Sequence, residues 1–253
     1  MSPPAGSMSW LQRAALASAR VHHAGHVPAA IRGQELQALA HRGLVEALPG
    51  IELVDLHRPC IAAQFRITAA GRRRAEATPR PQLIVVPCAS RKSDQAVAAA
   101  EQMYIGSYHL AARKAALAVI GSREQLLVLS AKFGLLRLSD HILAYDLTSG
   151  QPGTVGPQAL REQAHHLAVT GCRVTVLAGL RYAALARHVW TDLHHPLAGA
   201  RGIGDHLAYF ATQYGPPAEA RETTGGRTVS TGPTRHSHTM RPARAISSSG
   251  AIT

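Results

Sequence analysis

A chain of 253 residues has room for one large domain or two small ones, and its 46% apolar share allows a sizeable core packed mainly by Ala, Leu and Val. Lys and Arg outnumber Asp and Glu 27 to 15, a formal charge of +12, which favours a polyanionic partner without separating nucleic acid from an anionic membrane or plain solubility. No apolar run approaches the ~20 residues of a spanning helix, and the first residues lack the regions of a signal peptide. Cys60, Cys88 and Cys172 form no CxxC pair or disulfide framework, so the expected setting is cytoplasmic, with no membrane association.

Residues 9–78 read as a small first domain: helix, helix, strand pair, short helix. Leu36, Leu39, Leu44 and Val45 follow helical spacing, with Gly43 as a stop. Ile51–Leu56 and Ile61–Ile67 suit two short strands around His57-Arg58-Pro59, and Thr68 is placed to cap the helix of AAGRRRAEA. This stretch resembles a winged helix. The resemblance implies contact with DNA or RNA: Arg66, Arg72, Arg73 and Arg74 would meet phosphates, and Arg32 and Arg42 would flank the groove. A docking or dimerisation module has the same pattern, and three consecutive arginines also describe a solvated helix face.

After the linker PRPQ a second domain spans residues 81–214. Leu83–Val86 is a short aliphatic run suited to a buried parallel strand. Met103–Ile120 reads as an Ala-rich helix, Gln125–Leu129 as a strand and Pro157–Val169 as a helix. Arg173–Leu177 reads as a third strand, and Tyr182–Trp190 and Gly204–Tyr214 as helices. Strands alternating with helices predict an α/β fold, a three-layer domain around a parallel sheet. Residues 215–253, rich in Gly, Pro, Ser, Thr and Arg, read as a disordered tail.

Ligands in such sheets sit beyond the carboxyl ends of the strands, and the loops there hold the chemistry. The first, Pro87 to Asp94, offers Cys88 as a nucleophile, Ser90 as a donor, and Arg91 and Lys92 as anion holders. A buried cysteine packing as a small apolar residue is the simpler reading of Cys88. Next come Tyr104, a ring for stacking on a base, Ser107, equally suited to capping, and His109, an acid–base candidate. The second strand ends in Ser130-Ala131-Lys132, followed by Tyr145-Asp146, whose carboxylate would orient a substrate, activate water or pair with Lys132. The third ends in Gly179-Leu180-Arg181. GxGxxG and GxxxxGK[ST] are missing, and the adjacent histidine pairs make poor metal clips. The sequence therefore implies no cofactor and no metal.

Pro87-Cys88-x3-Lys92, Tyr104-x-Gly106-Ser107-Tyr108, Ser130–Leu136, Tyr145-Asp146 and Ala178-Gly179-x-Arg181-Tyr182 together resemble a bacterial and phage domain of unknown function. More distantly, residues 83–210 are similar to the core domain of archaeosine synthase. That enzyme has a uracil-DNA-glycosylase-like fold with a Pro-Cys-Ser-x-x-Lys motif, and attaches an amino acid to a modified deazaguanine in tRNA. Here Ala89 stands where that motif has serine, and Ser93-Asp94 where it has Pro-Tyr. The resemblance implies a site for a base or nucleotide: Lys92 and Asp146 as catalytic groups, Lys132, Ser130, Tyr104 and Tyr145 as binding groups. The expected function is nucleic-acid-associated chemistry on a nucleobase or nucleotide, by modification or transfer. The alternative is a DNA-binding regulator whose α/β domain senses a small ligand.

Overall fold

The computed structural model describes residues 7–49, 64–147 and 150–214. The expected strand Ile51–Leu56 and the expected disordered tail lie outside the described residues, as does Cys60. Among the described residues no helix is long and apolar enough to cross a membrane.

The N-terminal part begins with α1 (Trp10–Val21), fixed by a capping box in which the Ser9 hydroxyl accepts from the Gln12 N–H and the Gln12 side chain accepts from the Ser9 N–H, both at 3.1 Å. Helix α2 (Gly33–His41) stops at Gly43, whose φ of +66° lets the Leu44 N–H close back onto Leu39 O at 3.0 Å. That stop sends Val45 into a strand, so the pair that forms is β1 (Val45–Ala47) with β2 (Phe65–Ile67), antiparallel. Thr68 caps α3 (Ala69–Ala77) as expected, accepting from the Gly71 N–H at 3.0 Å. Leu16, Leu36, Leu39, Val45, Phe65 and Ile67 bury together in this part.

The α/β part is built on a four-stranded sheet, ordered β6-β5-β3-β8. Strands β3 (Gln82–Pro87), β5 (Leu126–Ser130) and β8 (Arg173–Val176) run parallel, and β6 (Gly134–Arg137) pairs antiparallel to β5, so the sheet is mixed rather than purely parallel. The run Ser130–Leu136, expected as a loop, is the hairpin that adds this edge strand. Asp140 shapes the next turn by accepting from the Arg137 N–H at 2.7 Å, and β7 (His141–Leu143) pairs with β4 (Val97–Ala99) in a separate ribbon.

Alternation along β3 divides the core. Leu83 and Val85 face α1, α6 (Pro157–His166) and α7 (Leu180–Arg187). Ile84 and Val86 face α5 (Ser107–Val119) and Phe210 of α8 (Ile203–Tyr214). These two faces make the three-layer α/β fold, and each buried Leu or Val contributes roughly 1.5–3 kcal/mol. Helix α1 serves both parts of the chain. Trp10 and Ala14 pack on the sheet while Ala15, Leu16 and Ala19 pack on the N-terminal core, and the Trp10 indole N–H donates to Gln82 O at 2.9 Å.

The helix expected over Met103–Ile120 is broken in two, α4 (Ala100–Met103) and α5. Tyr104 interrupts it by leaving helical geometry to bridge with Lys92, and its ring is fully buried. The N-cap of α5 is Gly106, so Ser107 is its first helical residue rather than the cap. Helix α6 also stops short of Val169, because Ala168 takes a φ of +63° and the Val169 N–H returns to Ala164 O.

Candidate functional site

The carboxyl ends of β3, β5 and β8 lie side by side because the strands are parallel and adjacent. From β3 the chain reaches β5 through α5 on one face, then returns to β8 through α6 on the other. The connections therefore diverge between β3 and β8, and in open α/β sheets such a switch point is where ligands bind. Cys88 follows β3 directly, Tyr182 lies in the first turn of α7, and the Cys88 Sγ is 3.0 Å from the Tyr182 hydroxyl across that point.

Beside this pair runs a short hydrogen-bonded belt. The Tyr145 hydroxyl is 2.9 Å from Ser130 Oγ and 3.0 Å from the Tyr104 hydroxyl. Ser130 Oγ also accepts from the N–H groups of Lys132 and Phe133, at 3.3 and 3.1 Å. With its lone pairs occupied, the serine hydroxyl donates its own proton to Tyr145, which in turn donates to Tyr104. Burial pushes the Tyr104 phenol up to about 12. Burial first, then the proximity of Cys88, also raises the Tyr145 and Tyr182 phenols. All three rings are neutral donors at physiological pH.

Two lysines stand over this belt. The Lys92 ammonium is 4.2 Å from the Tyr145 ring centroid and donates to Ser90 O at 3.2 Å. Its place is set by the antiparallel bridge to Tyr104 and by two flanking bonds, Ser93 N–H to Met103 O and Ile105 N–H to Arg91 O. The Lys132 ammonium lies 5.5 Å from the centroids of both Tyr145 and Phe133, and Phe133 meets Tyr145 edge-on at 5.1 Å. Among the described residues neither lysine is ion-paired with a carboxylate. Two ammonium groups on one ring, without counter-ions, make a receptive place for a negatively charged group.

The structure thus brings together Cys88, Lys92, Tyr104, Ser130, Lys132 and Tyr145. Tyr104 is fully buried, so the ring facing the lysines is Tyr145. Gly106 lies close against the first loop, since a Cβ there would stand 2.9 Å from that of Ala89. Ser90 and Ser107 are exposed at the edge of these loops. His109 is fully buried behind them, its Nδ1 2.7 Å from Pro87 O, and burial lowers its pKa to about 4. Asp146 is exposed, with no hydrogen bond or ion pair to either lysine. Gly179 caps α7, while Arg181 is exposed and lines a separate open hollow with Thr154, Ala184 and His188.

Tyr182 and Phe133 were missing from the expected site residues, as was His195, which is buried with Nε2 2.8 Å from Ala178 O just past the end of β8. The position of Tyr182, one turn into the helix after Gly179, is a signal the sequence did hold. His195 gave none beyond an adjacent pair read as a poor metal clip. In the N-terminal part Arg32 pairs with Glu124 at 3.6 Å and Arg66 with Glu46 at 2.7 Å. Arg42, Arg72, Arg73 and Arg74 are exposed and, among the described residues, without a carboxylate partner.

Residues 83–212, the span that carries these strand ends, match the model of a family of unknown function, DUF6884. The chain belongs to that family. No curated protein and no solved structure matches the chain. The matched span of this DUF6884 member contains every residue of the belt, both lysines and the Cys88–Tyr182 pair.

Proposed function

We propose that this DUF6884 protein is an enzyme acting on a nucleobase or nucleotide, free or within nucleic acid, by base modification or transfer. The observation that carries the reading is the convergence of two unpaired lysines on the Tyr145 ring beside the Cys88–Tyr182 pair. The groups free to donate there are the two ammonium ions, set over phenols that are already hydrogen-bonded among themselves and to Cys88. They suit the oxo and phosphate oxygens of a nucleotide, which accept. Lys92 and Lys132 hold phosphate or polarise a ring carbonyl, Tyr145 lies along the base, and Cys88 is the nucleophile. Asp146, next to Tyr145 and free of partners, serves as base or orienter. The similarity of the Pro87-Cys88-x3-Lys92 stretch to archaeosine synthase points to the same substrate class. The N-terminal part, read as a winged helix, delivers nucleic acid through Arg42, Arg72, Arg73 and Arg74.

One observation favours a second reading, a DNA-binding regulator with a ligand-sensing α/β domain: Asp146 touches neither lysine, as a pure binding site allows. Incubating wild type and Lys92→Ala with cellular nucleic acid and nucleotide pools separates the two. A nucleoside mass gained or lost only with wild type supports the enzyme. Identical spectra from the two proteins, with DNA binding retained, support the sensor.

A further inference from the structure

We infer that His109 and His195 are a matched pair of positioning residues: each donates one ring N–H to the backbone carbonyl at a strand end and thereby sets where Cys88 and Tyr182 meet. This rests on the reading of the Cys88–Tyr182 pair as the centre of the site.

On β3, Pro87 is the last strand residue and Cys88 comes next. The fully buried His109, from α5, places Nδ1 2.7 Å from Pro87 O. On β8, Ala178 lies just past the strand end and Gly179, the N-cap of α7, comes next. His195, 9% exposed, places Nε2 2.8 Å from Ala178 O. A carbonyl only accepts, so the nitrogen facing it must bear the proton. His109 therefore donates from Nδ1 and His195 from Nε2. The other nitrogens, His109 Nε2 and His195 Nδ1, are buried with no partner. Burial keeps His109 neutral, so its Nε2 carries a lone pair.

The two clamps sit on neighbouring strands. β3 and β8 are in register from Gln82↔Arg173 to Val85↔Val176, so fixing both carbonyls fixes the two chain exits against each other. Downstream of one exit is the thiol and downstream of the other, through the Tyr182 N–H bond to Gly179 O at 3.1 Å, is the phenol. A strand-end carbonyl left unpaired in the interior is costly, and an imidazole is a rigid donor for it. Nothing in the sequence marks either histidine for this role.

The opposite donor nitrogens give an internal control. An asparagine amide N–H stands near the place of Nδ1, and a glutamine amide N–H near that of Nε2. In the full chain, Cys88 alkylation by iodoacetamide is followed across pH by peptide mass spectrometry, with thermal stability measured in parallel. His109→Asn and His195→Gln should keep the wild-type rate and pH profile. His109→Gln and His195→Asn, which leave the carbonyl unpaired, should lower the Tm below that of their isomeric partners and change the rate by about tenfold, the scale of one buried hydrogen bond, with an altered pH profile that a lowered Tm alone does not produce. Isomers that behave alike at both positions would overturn the inference. Long-range ¹H–¹⁵N spectra of the wild-type protein read the protonated nitrogens without any variant; an unprotonated His109 Nδ1 or His195 Nε2 would overturn it too. A wild-type protein that binds no nucleotide while these results hold would refute the substrate reading and leave the clamps standing.

Discussion

The two ends of the described chain treat their charges differently. In the N-terminal part, cations stand in solvent: Arg32 and Arg66 are exposed and matched by Glu124 and Glu46, and the arginines of α3 project from one short helix. At the strand ends of the α/β part, Lys92 and Lys132 are held against a half-buried ring with no carboxylate partner, beside phenols that burial keeps protonated. Exposed arginines such as Arg72, Arg73 and Arg74, gathered on one short helix, suit a partner recognised by long-range charge. Unpaired lysines on a fixed hydrogen-bonded belt suit one ligand group in one place. On the proposed function, selectivity belongs to the strand ends and general affinity to the N-terminal surface.

The contrast is tested most severely through α1, which packs on both cores. Leu36→Ala in the N-terminal core and Leu83→Ala under the sheet should each cost about 2–5 kcal/mol. Because α1 joins the cores, calorimetry should show one transition lowered by either change. Two transitions, each moved by only one variant, would show that the parts are independent.

A smaller effect separates the two cationic regions. Lys92→Ala and Lys132→Ala should each weaken nucleoside monophosphate binding by about tenfold, since a charge-assisted bond is worth about 1.5–3 kcal/mol, and leave nucleic-acid affinity nearly unchanged. Arg73→Ala should do the reverse, with the salt slope of nucleic-acid binding reduced by about 1. Calorimetric titration and salt-dependent anisotropy read the two arms.

Acidity sharpens the comparison further. His22, His23, His26 and His165 stack between the end of α1 and the end of α6, with His22 4.4 Å from both His23 and His165. Burial, then the neighbouring imidazoles, lowers His165 to about 4, and burial lowers His109 likewise. The folded state thus binds fewer protons than the unfolded one. Stability is complete above the unfolded value of about 6.5 and falls as pH drops from there toward about 4, levelling off below. Urea midpoints across that window should show the loss, and His165→Asn should flatten it. The smallest effect is at the surface: Glu46→Ala removes the exposed partner of Arg66 and should shift stability by about 0–1 kcal/mol.

Much of the α/β part was legible because its signals are local. Leu83–Val86 is too apolar and too short for anything but a buried strand, and the loops after β3 and β5 announce their cations directly. The edge strand β6 was hidden because Gly134–Arg137 is short and its pairing depends on a turn three residues earlier. The break before α5 was hidden because Ala-rich sequence reads as helix, whereas burial of Tyr104 against Lys92 and Tyr145 decides the local conformation. Within the site, the lysines and Cys88 could be named from sequence, but the placement of Arg181 could not. The helix expected over Tyr182–Trp190 forms over Leu180–Arg187, and only packing turns Tyr182 toward Cys88 and Arg181 toward Thr154. His195 was illegible for the same reason: its partner is a backbone carbonyl 17 residues earlier.

The central claim, that a nucleotide settles on Lys92, Lys132 and Tyr145 above Cys88, is tested most directly by ligand protection. Iodoacetamide labelling of Cys88 should slow saturably as a nucleoside monophosphate is added. Lys92→Ala and Lys132→Ala should abolish that slowing while leaving the thiol reactive. A labelling rate that stays constant for every base, nucleoside and nucleotide offered, up to millimolar concentration, would contradict it.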